Sequence, residues 1–224
     1  MKTKGKSPVR PARAQAEAGF SLPPRKRSGK GACLLAHGAG GHKDHPHMSA
    51  LADALSDAGL EPHRFNFPYR DEGRSFPDRL PALVERYRVE AERFASAKRS
   101  PILAGHSMGT RAAVALAASG FPCRGLILFS YPLHPPGHPE KLRLDHLEEL
   151  RVPVLSISGS RDAFCTPKLM DNAVGGLRGW THHWIEAADH GLAVPKASGR
   201  TRGEVMEEVA DTVRAWLKKN AKEK

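Results

Sequence analysis

The sequence predicts an α/β fold: a three-layer sandwich in which a mostly parallel sheet carries helices on both faces. Three observations carry this. From residue 31 the chain alternates between short apolar runs and segments patterned for helix. The apolar runs are near-continuous rather than alternating, as in strands buried on both faces. Helical segments stand between them, which suits a parallel sheet covered on each side.

The elements follow in order. Residues 32–36, ACLLA, form a short apolar run that HGAGG ends, a buried strand. In residues 48–58, Leu51, Ala52, Leu55 and Ala58 recur at helical spacing and Gly59 supplies the stop. Residues 63–67 read as the second strand. Residues 79–97 are the clearest helix, with Leu83, Tyr87, Ala91 and Phe94 on one face. Residues 101–105 are the third strand, and residues 107–119 an Ala-rich helix ending at Gly120. RGLILFS (124–130) and VPVLSIS (152–158) are the fourth and fifth strands. Residues 168–174 form a short helix and residues 180–186 a sixth strand. Residues 204–218 close the chain as a helix with Val205, Val209, Val213 and Trp216 along one side. There is no internal repeat.

Composition bounds the class. At 40% hydrophobic and 26% charged, the chain is ordinary for a soluble globular protein. No apolar run approaches the roughly 20 residues of a membrane span. The formal net charge is +11, but residues 1–30 hold nine Lys/Arg against one acid, Glu17, and so carry +8 of it. The expected organisation is a basic, disordered tail over 1–30 and one domain over 31–220. Such a tail suits weak contact with an anionic partner. It has no apolar core, so it is no secretory signal; its Arg-rich, acid-poor composition leaves an organellar transit peptide open, although its prolines argue against an amphipathic helix. The three cysteines, Cys33, Cys123 and Cys165, are scattered and odd in number, which fits a reducing, cytoplasmic setting and no disulfide framework.

In open parallel sheets, ligands bind beyond the carboxyl ends of the strands. The loops that matter therefore begin at His37, Phe67, His106, Ser130, Ser158 and Glu186. One of them holds Gly105-His106-Ser107-Met108-Gly109, a G-x-S-x-G pattern between a buried strand and a helix. In a nucleophile elbow the serine sits on a strained turn and the glycines allow strand and helix to pack closely. The helix N-terminus presents free N–H groups to a developing oxyanion. The competing role for Ser107 is a helix N-cap.

Four motifs together resemble the α/β-hydrolase superfamily over about residues 31 to 220: HGAGG after the first strand, GHSMG at the elbow, GSRDAF after the fifth and ADHGL after the sixth. FNFPY and YPLHPPGHPEKLR are similar to a small dienelactone-hydrolase-like branch, a predicted hydrolase family. It includes a testis-expressed protein and a subunit of the non-specific lethal chromatin complex. The resemblance implies a minimal α/β-hydrolase fold. Two leading strands of the superfamily are not visible, and Ser107 stands where true dienelactone hydrolases carry Cys. The tract 131–150 is too short for a helical cap domain, so no cap is expected.

The resemblance implies the chain order serine, acid, histidine. Ser107 is then the nucleophile, His190 in EAADHGL the base, and Asp162 in SGSRDAF the acid that fixes the imidazole. Asp189 and Glu140 are weaker competitors for the acid. His106 adjoins Ser107 and points elsewhere, so it is not the base; packing or a hydrogen bond beneath the elbow is its expected role. Met108 supplies one oxyanion N–H and the HGAGG loop the other, Ala39 first and Gly40 as alternative. HGAGG fits neither phosphate-binding pattern, Walker or GxGxxG. Around the site, His37, Tyr69, Arg70, His134 and His138 are expected to line a substrate pocket, with Arg70 placed to meet an anionic group. His42, His45 and His47 lack the spacing and companions of a metal site, so neither metal nor cofactor is implied. The expected activity is hydrolysis of a carboxylic ester, thioester or small amide of a small-molecule acyl substrate, through an acyl-enzyme. The alternative is a non-catalytic scaffold built on the same fold.

Overall fold

A computed structural model describes residues 31–94 and 100–220. The basic segment 1–30, the last part of the helix expected over 79–97, and residues 221–224 lie outside the described residues.

The elements run β1 (Gly31–Ala36), α1 (Pro46–Asp57), β2 (Leu60–Phe65), α2 (Pro68–Asp71), α3 (Leu80–Glu92), β3 (Ile102–His106), α4 (Met108–Ala118), β4 (Gly125–Phe129), β5 (Val154–Gly159), α5 (Pro167–Val174), β6 (Trp180–Ile185) and α6 (Arg202–Asn220), with a 3-10 turn at Lys196–Ser198. The six strands form one sheet in the order β2-β1-β3-β4-β5-β6. Every pair is parallel. This is the α/β-hydrolase fold, with helices on both faces.

Two cores sandwich the sheet. On one face α1 and α6 pack Met48, Leu51, Leu55, Val205, Val209, Val213 and Trp216 against Leu35, Ile102, Ile127 and Ile157. On the other, α3, α4 and α5 pack Leu83, Tyr87, Ala113, Leu116 and Met170 against Leu34, Leu103, Leu126 and Leu128. β3 and β4 are buried throughout apart from His106, as their unbroken apolar sequences predict. Among the described residues no helix is long and apolar enough to cross a membrane.

Most boundaries shift by one or two residues from the sequence reading, and three departures have a clear local cause. β2 begins at Leu60, not at residue 63, and passes through Pro62. Proline is tolerated because β2 is an edge strand, where one side needs no ladder hydrogen bond. α1 starts at Pro46, ahead of residue 48, because His45 accepts the His47 N–H and caps it, with Pro46 pre-set for the first turn. The one-turn helix α2 at Pro68–Asp71 has too short a pattern to show in the sequence. Between β4 and β5 the described chain forms turns only, so no helical cap covers that side of the sheet end.

The order reverses direction between β1 and β3: the chain goes outward from β1 to β2, then returns past β1 to β3. That switch point lies at the carboxyl ends of β1 and β3, the region where open parallel sheets bind their ligands. The loop His37–Gly41 and the turn at Ser107 both enter it.

Candidate active site

The turn at Ser107 is built by sterics. Ser107 has φ 51° and ψ −116°, outside the regions a side chain normally adopts. Its hydroxyl makes no capping bond, so it does not act as the helix N-cap the sequence also allowed. Its N–H donates to Phe129 O at 2.9 Å and its carbonyl accepts from Thr110 N at 2.9 Å, which pins both ends of the turn. The flanking glycines are needed for close approach. A Cβ on Gly105 would lie 2.4 Å from the Gly109 carbonyl carbon, and one on Gly109 would lie 2.5 Å from Ala36 O. Only bare backbone lets α4 rest against β1 and β3 this tightly.

The loop after β6 brings His190 to the same place. Asp189 staples that loop, its Oδ1 accepting from Gly191 N at 2.8 Å and Ala193 N at 3.0 Å. Ala187 N–H donates to Ser160 Oγ at 2.8 Å, and a Cβ on Gly159 would meet Ala188 O at 2.2 Å. The loop thus lies directly on the end of β5, where Asp162 also sits.

Three side chains form one hydrogen-bonded chain. Ser107 Oγ and His190 Nε2 are 2.8 Å apart. His190 Nδ1 and Asp162 Oδ2 are 2.8 Å apart. The carboxylate accepts, so Nδ1 carries a proton and Nε2 is left to accept from the serine hydroxyl. Asp162 Oδ1 accepts from Phe164 N at 2.8 Å, and its side chain is fully buried while that of His190 is 23% exposed. The pattern therefore runs from a buried acid to a solvent-reachable serine. Of the competing acids, Asp189 is spent on its loop and Glu140 pairs with His138 at 3.1 Å on the surface.

The loop after β1 closes the other side. A Cβ on Gly38 would lie 3.3 Å from Ser107 Cβ, so this loop abuts the elbow. Gly38 O accepts from Gly41 N at 3.0 Å and from His37 Nδ1 at 2.8 Å. Those two bonds fix the peptide whose N–H belongs to Ala39. Ala39 O accepts from Tyr69 Oη at 2.8 Å and lies 3.4 Å from Arg70 Nη2, which fixes the peptide whose N–H belongs to Gly40. The Ala39, Gly40 and Met108 N–H groups have no acceptor among the described residues.

The expected pocket residues divide. His37 is fully buried; its Nδ1 bonds Gly38 O and its Nε2 accepts from Phe67 N at 3.2 Å, so both nitrogens are spent on backbone. Burial lowers its pKa. Tyr69 is buried and clamps Ala39 through its hydroxyl. Arg70 donates to the carbonyls of Gly41 and Ala39, and reaches Arg74 O at 3.4 Å, so its guanidinium laces the loop together. His134 is buried, 3% exposed, beside Phe164. His138 lies on the exposed loop tip. His37, Tyr69 and Arg70 thus act less as a wall than as a frame for the loop, while His134 and His138 take no part in it. A polar side chain beside a glycine-rich loop finds carbonyls closer than any ligand.

Two further residues belong to the site. Phe164 packs its ring 4.5 Å from that of His190, and its N–H holds Asp162. An Asp two residues ahead of an N–H it accepts from is an Asx-turn, readable in DAF. His106 places Nε2 3.0 Å from His190 O. Burial first of all pushes its pKa down to about 4. His47 packs edge-on against His106 at 4.5 Å, and burial lowers its pKa to about 3. His42, His45 and His47 do not converge: His45 caps α1 while His42 accepts from Asp44 N. Among the described residues no group of three metal-ligating side chains forms.

The chain is similar to several solved α/β hydrolases. An alpha-beta serine hydrolase homologue from Coxiella burnetii superposes with a TM-score of 0.64 at 19% identity, over 86% of this chain and 88% of that one. A serine hydrolase without lid from Xanthomonas campestris gives 0.65 at 19% identity, over 88% and 85%. Est1E from Butyrivibrio proteoclasticus, with ferulic acid bound, gives 0.66 at 17% identity, over 89% and 93%. The family described as "Alpha/beta hydrolase domain" matches residues 24–218. With that match across both cores and the elbow, the chain belongs to the alpha/beta hydrolase domain family.

Proposed function

We propose that the protein is a serine hydrolase acting on a carboxylic ester, thioester or small amide. The observation that carries this reading is the Ser107–His190–Asp162 hydrogen-bond chain, at 2.8 Å in both links, ending on a serine held in a strained turn. Ser107 Oγ attacks the acyl carbonyl while His190 Nε2 takes its proton. Asp162 holds the imidazole in the tautomer with Nδ1–H and stabilises the imidazolium that forms. The Met108 and Ala39 N–H groups face the developing oxyanion, with Gly40 as the alternative to Ala39. His190 then returns the proton to the leaving group. Water, activated by the same imidazole, breaks the Ser107 ester and releases the acid.

The turns between β4 and β5 favour an open site and a small acyl substrate. The segments FNFPY and YPLHPPGHPEKLR favour the small dienelactone-hydrolase-like branch, and the three unpaired cysteines a reducing, cytoplasmic setting. Residues 1–30 are assigned weak contact with anionic partners on their charge alone.

The test is fluorophosphonate labelling of the wild type against Ser107→Ala, followed by a screen of acyl esters, thioesters and small amides. Labelling that Ser107→Ala abolishes supports the reading. A wild type that never labels, and that hydrolyses no aryl ester of any chain length, overturns it.

A further inference from the structure

The geometry points to His106 as a positioning residue for His190: its Nε2–H holds the His190 carbonyl and so aims the imidazole at Ser107. This rests on the reading of Ser107 and His190 as nucleophile and base. A carbonyl only accepts, so the 3.0 Å contact requires a proton on His106 Nε2. Asp162 holds Nδ1 of His190 from one side. His106 holds the same residue's main chain from another. With the carbonyl and Nδ1 both anchored, Nε2 points at Ser107 Oγ, 2.8 Å away. Among the described residues no other group donates to the His190 carbonyl, so without His106 that peptide alone can reorient within a loop that Asp189 otherwise staples.

The register matters as much as the bond. His106 and Ser107 are consecutive, the last residue of β3 and the single turn residue before α4. One short piece of backbone therefore sets the serine and, through His106, the base. Any displacement of the elbow carries both together. The neighbours keep His106 in place: His47 packs edge-on against its ring at 4.5 Å, and a Cβ on Gly38 would come 3.0 Å from its Nδ1. Burial keeps the ring neutral at ordinary pH, so no fixed cation sits 5.3 Å from an imidazole that must itself become charged.

The experiment compares the full-length wild type with His106→Phe, which keeps a ring and loses the donor, and His106→Gln, whose amide can donate to the same carbonyl. An aryl butyrate supplies kcat and KM, thermal unfolding reports folding, and the low-field proton signal of His190 Nδ1–H reports its geometry without turnover. His106→Phe is expected to lower kcat by about 10- to 100-fold, as a roughly 1 Å misplacement does, with KM nearly unchanged. Its low-field signal should shift or broaden. His106→Gln should recover most of the kcat loss and the signal. Should His106→Phe fail to fold, His106→Ala carries the same expectation. A folded His106→Phe with wild-type kcat and an unmoved signal overturns the inference. So does a His106→Gln no better than His106→Phe. If the wild type neither labels nor turns over, the hydrolase reading fails, and the proton signal alone then decides the His106–His190 link.

Discussion

Replacing Ser107 by glycine is expected to make the protein more stable than replacing it by alanine. Both variants lose Oγ and its bond to His190, so that loss cancels in the comparison. What remains is backbone. At φ 51° and ψ −116° a side chain crowds its own main chain, and alanine inherits that strain while glycine does not. Conformations of this kind cost about 1–3 kcal/mol. Against this, glycine gives the unfolded chain more freedom, worth about 0.5–1 kcal/mol. The net expectation is about 1 kcal/mol in favour of Ser107→Gly. For a domain of this size that is about 2–4 °C in Tm. Urea unfolding and calorimetry at neutral pH measure both numbers, and neither variant should label with a fluorophosphonate. If Ser107→Gly melts at or below Ser107→Ala, the turn is not strained in solution and the elbow argument fails.

Other perturbations test separate parts of the structure. Gly109→Ala puts a Cβ 2.5 Å from Ala36 O, a backbone atom that cannot swing aside, so it should destabilise by about 2 kcal/mol; Gly176→Ala meets nothing within 4 Å and serves as the neutral control in the same urea titration. Asp162→Asn leaves the packing but removes the acceptor that selects the His190 tautomer, and should lower kcat by about 10³- to 10⁴-fold in the aryl ester assay. Burial, with smaller effects from neighbouring histidines, depresses His106 and His182 to a pKa of about 4 against an ordinary 6.5. The unfolded chain then binds more protons between those values, so stability is full above about pH 6.5 and falls as pH drops toward 4, by about 3 kcal/mol for each. Unfolding midpoints that stay flat from pH 7 to 4, or that His182→Asn leaves equally steep, contradict this. Finally, deleting residues 1–30 should abolish retention on a polyanion column at low salt, since that segment carries +8 of the +11 net charge. Unchanged retention refutes a role for it.

Much of this was legible in the chain. The apolar runs around Leu34, Leu103, Ile127 and Leu155 announced strands buried on both faces, because nothing else buries four to six consecutive apolar residues so cheaply. Val205, Val209, Val213 and Trp216 announced the face of α6 that meets the sheet. Ser107 was marked by its two glycines, whose need becomes plain only as distances to Gly109 and Ala36. Less legible were Pro62 within β2, which depends on that strand being an edge, and the one-turn α2.

The sequence by itself determined the alternation of strands and helices, the elbow pattern, and which Ser, Asp and His were candidates, because those follow from local periodicity and from residues within one motif. Only the tertiary structure decided what each polar side chain does once neighbours distant in the chain converge. His37, Tyr69 and Arg70 sit where a ligand contact was expected, yet they spend their hydrogen bonds on the loop Gly38–Gly41. His106, set aside as a base from its place beside Ser107, turns out to face a carbonyl 84 residues away. The physical reason is the same in each case. Periodicity says which side of an element is buried, but a hydrogen bond is chosen by which donor and acceptor come within about 3 Å, and that depends on the packing of the whole sheet.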